Sequence, residues 1–352
     1  MHLMTRAPYR LRTICLWAFV MLVVMLALTP AWAGQGRRER GGRTPVIFDT
    51  DICDDIDDTW ALVMLLNSPE LDVKLVTTAV GNTELKAKTV ARILEIAGRT
   101  DIPIGIGVKH SDGGNRQDAW VAGYDLGKYP GTIHRDGVQA IIDTIMKSER
   151  RITLIAVGPL PNIGAALDKE PGIAEKARFI GMHGSIYKGY GGSDTPSAEY
   201  NVKAHNKDCQ KVFTASWPMT ITPLDTCGLV HLTGQKYQQV LKSDRPLARA
   251  LMENYLAWQK QPIAARNKDL SDAEVEKQAR ATTDQRSSTL FDTVGIYLAL
   301  STDLVEMERL PLVVTDDGFT RIDREKGKPV RCAVRWKDLG AYEDYLVERL
   351  LR

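Results

Sequence analysis

The chain has 352 residues, with 46 lysines and arginines against 44 aspartates and glutamates, for a net charge of +2. That balance leaves no basic excess of the kind a nucleic-acid-binding surface carries. At 44% hydrophobic residues it can bury a large core, as one big α/β domain or as two, and its five cysteines are too few for a dense disulfide framework.

Arg6, Arg10 and Arg12 precede an apolar run from Ile14 to Leu28, and Ala31-Trp32-Ala33 then offers a small-x-small cleavage site before Gly34. These are the three parts of a secretory signal peptide, assigned to residues 1–33. The apolar run is short for a membrane span, so the chain is expected to be exported (periplasmic or secreted) with no membrane attachment after cleavage. An uncleaved anchor is the alternative. Residues 34–44 are rich in Gly and Arg and read as a disordered lead-in. Cleavage leaves Cys53, Cys209, Cys227 and Cys332. An oxidising compartment permits a bridge among them, but the sequence does not pair them, and Cys53 reads equally as a free thiol.

Val46 to Phe48 reads as a short buried strand, and six aspartates follow between positions 49 and 58. Helical spacing begins at Thr59, with Ala61, Leu62, Leu65 and Leu66 on one face. The carboxylates therefore sit between the carboxyl end of a strand and the start of a helix, where open α/β sheets bind ligands. Carboxylates this dense repel one another unless a positive charge joins them, and a hard divalent cation with oxygen ligands, Ca²⁺ or Mg²⁺, is the natural partner. Asp57 and Asp58 acting only as helix caps would explain two of the six. The spacing is not that of an EF-hand.

The helix from Thr59 stops at Asn67-Ser68-Pro69. Strands are expected at Val73–Val80, Ile102–Val108, Ile152–Val157, Arg178–Met182 and Met219–Leu224, with helices at Leu85–Ala97, Gly137–Met146, Ile163–Leu167 and around Asp208–Ala215. This alternation predicts a mostly parallel central sheet flanked by helices on both faces, a Rossmann-like core. Lys109–Gly131 and His183–Ser197 read as long Gly-rich loops. Val230–Lys268 is mainly helical, and Asp269–Ser288 is polar, either an insertion or a mobile lid. An apolar helix at Leu290–Leu300, late strands at Leu310–Val314 and Val330–Val334, and a closing helix at Leu339–Leu350 complete the chain.

Asp49-Thr50-Asp51 followed by Asp57-Asp58-Thr59-Trp60-Ala61-Leu62 resembles the signature of the inosine-uridine-type nucleoside hydrolase family. The commoner pattern there is D-x-D-P-G-x-D-D-x-x-A. This chain has Ile52 and Cys53 for the Pro and Gly, and two extra residues before the last Asp pair. Thr77-Thr78-Ala79-Val80-Gly81-Asn82 resembles the family's T-T-x-x-G-N, and the run Thr153–Asn162 its T-L-x-x-x-G-x-L-T-N. Met182 with Glu199-Tyr200-Asn201 resembles its M-G-G and E-[FY]-N segments, and Phe291-Asp292 its H-D, with Phe in place of the His. A family Asn six positions before the Glu falls at Ser193.

The resemblance implies a single nucleoside-hydrolase-like α/β domain over 45–352, a bound Ca²⁺, and hydrolysis of the N-glycosidic bond of a ribonucleoside or related N-riboside to free base and ribose. By resemblance the metal ligands are Asp51, Asp58, the Val157 carbonyl and Asp292, and Asp51 is also the general base. Asn82 is placed in the catalytic centre and on the sugar, with Asp55 or Asp57, Met182, Glu199, Asn201 and Trp258 also contacting substrate. The partner implied is a small nucleoside rather than a nucleic acid, and the family commonly forms homodimers or homotetramers. Phe291 cannot donate a proton to the leaving base. His183, His134, His205, Tyr187 and Tyr190 are candidates for that, or stacking on Trp120, Tyr255 or Trp258. Two other readings compete. Val46–Asp51 also resembles the h-h-h-D-x-D start of a haloacid dehalogenase-type phosphatase, with Asp49 as nucleophile. A catalytically inactive nucleoside- or sugar-binding protein is the other.

Overall fold

Val46, Ile47 and Phe48 are fully buried at the centre of strand β1 (Thr44–Thr50), as a strand covered on both faces requires. The structure is a computed structural model that describes residues 42–352. The expected leader at 1–33 and most of the lead-in lie outside the described residues. Thr44, placed in the lead-in from sequence, already belongs to β1. Arg43–Arg352 make one compact unit.

The other strands are β2 (Leu71–Thr78), β3 (Ile104–Ile106), β4 (Ile133–His134), β5 (Ile152–Ala156), β6 (Ala177–Met182), β7 (Met219–Thr222), β8 (Val305–Val314), β9 (Thr320–Ile322) and β10 (Lys328–Trp336). They form one sheet in the order β4-β3-β2-β1-β5-β6-β7-β10-β8-β9. All neighbours are parallel except β10 with β8 and β8 with β9. The expected mostly parallel sheet is therefore present, with an antiparallel edge. The chain builds outward from β1 through β2, β3 and β4, then returns to β5 on the other flank of β1. The switch point of the sheet thus falls between β1 and β5, and a crevice opens there at the strands' carboxyl ends.

Helices cover both faces. Helices Asp57–Leu66, Thr83–Ile96, Pro246–Arg266, Thr293–Leu300 and Leu339–Leu350 share one core with Phe48, Ile155 and Ile180. Helices Gly137–Lys147, Pro161–Lys169 and Asn206–Thr214 share the other with Ile47, Leu154 and Phe179. In helix Asp57–Leu66 every residue but Leu66 is buried. A helix apolar all round is one surrounded by protein, and this one fixes the Asp loop that precedes it.

Several boundaries differ from the sequence expectation. The strand expected at Ile102–Val108 is confined to Ile104–Ile106, and the one at Leu310–Val314 is the end of the longer β8. Asp269–Ser288, expected as an insertion or a mobile lid, contains helix Asp272–Thr283, started by a capping box in which Ser271 and Glu274 bond each other's backbone N–H, and packed along Pro246–Arg266. All four cysteines of the described residues are buried and free. No described helix is long and apolar enough to cross a membrane.

Candidate active site

Asp51 leaves the end of β1, Val157 follows β5, and Met182 ends β6, so three adjacent strands deliver these residues to the switch-point crevice. Asp292 arrives from the start of helix Thr293–Leu300, which packs on β5 and β6. Together they line a cavity of about 320 Å³ with Asp54, Asp55, Asp57, Asp58, Tyr190, Glu199, Tyr200, Asn201 and Phe291. That lies at the small end of ligand-site volumes.

The loop from Asp51 to Ile56 is held by Lys86, which is completely buried. Its Nζ donates to the Asp51 carbonyl at 2.7 Å, to Asp54 Oδ2 at 2.8 Å and to the Ala79 carbonyl at 3.2 Å, using all three protons. Cys53 has φ +84°, a conformation that favours glycine, at the position where the family's commoner pattern has Gly. Its Sγ lies 3.2 Å from Thr89 Oγ1. The close approach of β5's exit is equally strict: a Cβ on Gly158 would lie 2.3 Å from Asp51 Oδ1.

Carboxylate oxygens of Asp57, Asp58 and Asp292 lie within 4.8 Å of one another, and all three residues are buried. Burial first, and then the charges of neighbouring aspartates, push the three carboxyls well above the usual range. Asp51, also buried, is raised to about 7 by desolvation, against the opposing charge of Lys86. The protein's own donors answer little of this. The Thr50 hydroxyl donates to Asp58, and the Asp292 N–H to Asp57 Oδ2 at 3.2 Å. Lys86 is committed to the loop. Hard oxygen donors packed this closely without a neutralising side chain fit a divalent cation. Asp57 and Asp58 lie in the first turn of their helix but do not cap it: the N-cap is Ile56, with no side-chain cap bond. Asp292 stands at the N-cap position of helix Thr293–Leu300 but makes no side-chain cap bond, so its carboxylate is free for the cluster.

The Glu199-Tyr200-Asn201 segment is not the extended strand that would align Glu199 with Asn201. Glu199 is the N-cap of helix Tyr200–Ala204, its carboxylate accepting from the N–H groups of Gly184 (3.0 Å), Asn201 (2.7 Å) and Val202 (3.2 Å). Burial raises Glu199 to about 7 despite these bonds. Asn201 Nδ2 donates to the Val157 carbonyl at 2.6 Å and the Met182 carbonyl at 3.0 Å. Both amide protons are thus consumed, and Oδ1 remains as an acceptor at the cavity. Of the two candidates for the sugar, Asp57 is deep and Asp55 is exposed, its Oδ1 accepting from Ile56 N–H at 2.6 Å. Both line the cavity.

Other residues singled out from sequence lie elsewhere. Asn82, expected in the catalytic centre, caps helix Thr83–Ile96 through a 3.3 Å bond from Leu85 N–H and does not line the cavity. Trp258 donates to the Asp54 carbonyl at 3.2 Å, stacks under Arg116, and lines a separate pocket with Tyr255 and Arg286. His183 is fully buried, 3.1 Å from the Gly158 carbonyl, and driven down to about 3 by desolvation. His134, His205 and Tyr187 also lie outside the cavity lining, and Tyr190 alone of the proposed donors is within it. Asp49 is fully buried, its Oδ1 accepting from Thr77 and from Asn162 Nδ2 (2.7 Å). It is not among the residues lining the cavity, which speaks against its acting there as a phosphatase nucleophile. Lys86 and Tyr200 were not selected from sequence as site residues. A lysine in an amphipathic helix reads as solvated, and nothing local marked this one as buried.

A doubly flanked parallel sheet with a carboxylate-lined crevice at its switch point defines a ligand-binding α/β enzyme fold. The family model described as inosine-uridine preferring nucleoside hydrolase matches residues 46–340, and the chain belongs to that family. Membership places it among hydrolases of N-glycosyl bonds. Over 224 residues it is 29% identical to a probable uridine nucleosidase 2 of Arabidopsis thaliana, covering 60% of this chain and 68% of that one. Over 223 residues it is 30% identical to the inosine-uridine preferring nucleoside hydrolase of Crithidia fasciculata, covering 59% and 69%. A solved plant nucleoside hydrolase shares the fold with a TM-score of 0.71 at 23% identity, over 88% of this chain and 99% of that one.

The raised carboxyls give a pH prediction. A folded-state pKa above the unfolded value means stability that is present at low pH and lost as pH rises through the folded pKa. The window runs from the ordinary 3.8 of aspartate to about 7 for Asp51, and Asp57, Asp58 and Asp292 are also raised well above 3.8. A cation at the cluster removes that loss. Stabilisation by Ca²⁺ should therefore be small near pH 4.5 and reach about 2.7 kcal/mol near pH 7.5 at a hundredfold excess over Kd. Thermal melts with and without Ca²⁺ check this, and a Ca²⁺ shift equal at both pH values contradicts it.

Proposed function

We propose that the protein hydrolyses the N-glycosidic bond of a ribonucleoside or related N-riboside, giving free base and ribose, and that it does so with a divalent cation, Ca²⁺. The observation that carries this reading is the single cavity shared by Asp51, Asp57, Asp58 and Asp292 with Glu199 and Asn201. Asp51, Asp58, Asp292 and the Val157 carbonyl would hold the cation, with Asp57 in the same cluster. When bound, it supplies a grip on vicinal hydroxyls and lowers the pKa of a water.

The chain's own groups account for the remaining requirements. N-ribosidic cleavage passes through an oxocarbenium-like sugar, so the ribose must be held rigidly while charge develops on its ring. Asn201 Oδ1 is free to accept a sugar hydroxyl because its Nδ2 is tied to two carbonyls. Glu199 is immobilised by three backbone N–H groups and accepts from a second hydroxyl. Asp51, raised to about 7 by burial, is suited to accept the proton of the attacking water. The buried carboxylates around the sugar stabilise the positive charge that develops on it.

Wild-type protein with Ca²⁺ should release ribose from members of a panel of purine and pyrimidine nucleosides. EDTA should abolish release, and Asp51→Asn should lower kcat by at least ~10²-fold. No ribose release from any nucleoside while Ca²⁺ still binds would instead support a binding protein.

We also propose that the chain is exported, on the strength of the basic, apolar and small-x-small segments within residues 1–33. N-terminal sequencing of the mature protein should read from Gly34, and a retained Met1 would contradict export by cleavage.

A further inference from the structure

Departure of a nucleobase as a bare anion is slow, so the site needs a proton at the face away from the attacking water. The cavity lining offers few groups that carry one. Val157, Met182 and Phe291 have none to give, both Nδ2 protons of Asn201 are bonded to carbonyls, and Glu199 is occupied as an acceptor. The aspartates are the cation and water wall. Two phenols remain, Tyr190 and Tyr200.

Their surroundings separate them. Tyr200 is 53% exposed, and its phenol is near enough to Asp51, Asp54 and Glu199 for their charges to raise it. Of the neighbouring charges, that of Glu199 raises the Tyr190 phenol most. Its ring stands edge-on to Phe291, with centroids 6.2 Å apart. Its hydroxyl oxygen accepts from Tyr200 N–H at 2.9 Å. That bond anchors the oxygen through a lone pair and leaves the O–H proton to be given elsewhere. A phenol is protonated at neutral pH, so this proton is present to be given. Gly191 and Gly192, which follow it, have φ +65° and +78°, and Tyr190 lines the cavity while 45% exposed.

We propose that Tyr190 is the general acid that protonates the departing base. The inference rests on the N-riboside hydrolase reading and adds the leaving-group residue to it. As the C1′–N bond breaks, its electron pair passes to the base, and the Tyr190 O–H proton moves to a ring nitrogen or exocyclic oxygen of that base. The water oxygen bonds C1′ and its proton goes to Asp51. Transfer of that proton through solvent to the tyrosinate restores both groups, so one water is consumed for each base and ribose released.

The test compares Tyr190→Phe with wild type on two kinds of riboside, in Ca²⁺. Inosine and uridine need a protonated leaving group, whereas p-nitrophenyl β-ribofuranoside releases a phenolate that needs none. Loss of the hydroxyl should lower kcat on the nucleosides by ~10²-fold or more. It should leave kcat on the aryl riboside within about twofold. The retained aryl activity is itself the control for folding, and an unchanged thermal melt is the second. Equal losses on both substrates, or no loss on nucleosides, would overturn the role of Tyr190 while leaving the hydrolase reading intact. Wild-type protein inactive on every riboside would overturn both.

Discussion

Mutual repulsion among buried carboxylates is the constraint on which this structure turns. Asp57, Asp58 and Asp292 are gathered into one buried group, with Asp51 beside them, and none has a cationic side chain as its partner among the described residues. Burial of one unpaired carboxylate is costly, and the cost rises when like charges share the site. A group of this kind is suited to a positive charge supplied from outside the chain. The sheet topology explains how they meet. Reversal of strand order between β1 and β5 opens the crevice, and the ends of β1, β5 and β6 then deliver Asp51, Val157 and Met182 to it.

The scaffold around the cluster is correspondingly rigid. Helix Asp57–Leu66 is buried nearly all round, and Lys86 clamps the preceding loop with all three of its ammonium protons. Cys53 holds a left-handed backbone conformation within that clamp. Such strain persists only where the surroundings over-determine it, and it is characteristic of sites that position reacting groups. Glu199 and Asn201 are fixed by backbone bonds, which leaves Asn201 Oδ1 as an acceptor at the cavity. Ribose binding would therefore need little reordering of side chains.

Much of the architecture was legible in the sequence. Short β-branched runs alternating with helical spacing gave the parallel sheet, because periodicity and chain punctuation are local signals. The Asp loop announced its site for the same reason: six aspartates in one turn between strand and helix have few structural uses. Features set by tertiary packing were hidden. Lys86 looks like any exposed helical lysine, and only the fold shows that it is buried. Asn82 was expected at the site from its place in a motif and Trp258 as a stacking surface, yet Asn82 serves as a helix cap and Trp258 lines a neighbouring pocket. The cap formed by Glu199 was hidden because a three-residue motif carries no period and the cap depends on Gly184, which arrives from a different part of the chain.

The account stands or falls on the cation. Calorimetric titration of chelator-treated protein (residues 34–352) with Ca²⁺ near pH 7.5 is the most direct measurement, with Asp58→Asn alongside. One Ca²⁺ per chain, bound by the wild type and weakened ~10-fold or more in Asp58→Asn, is the expected result. Folded wild-type protein that binds no divalent cation would contradict it, and the buried carboxylates would then need another explanation.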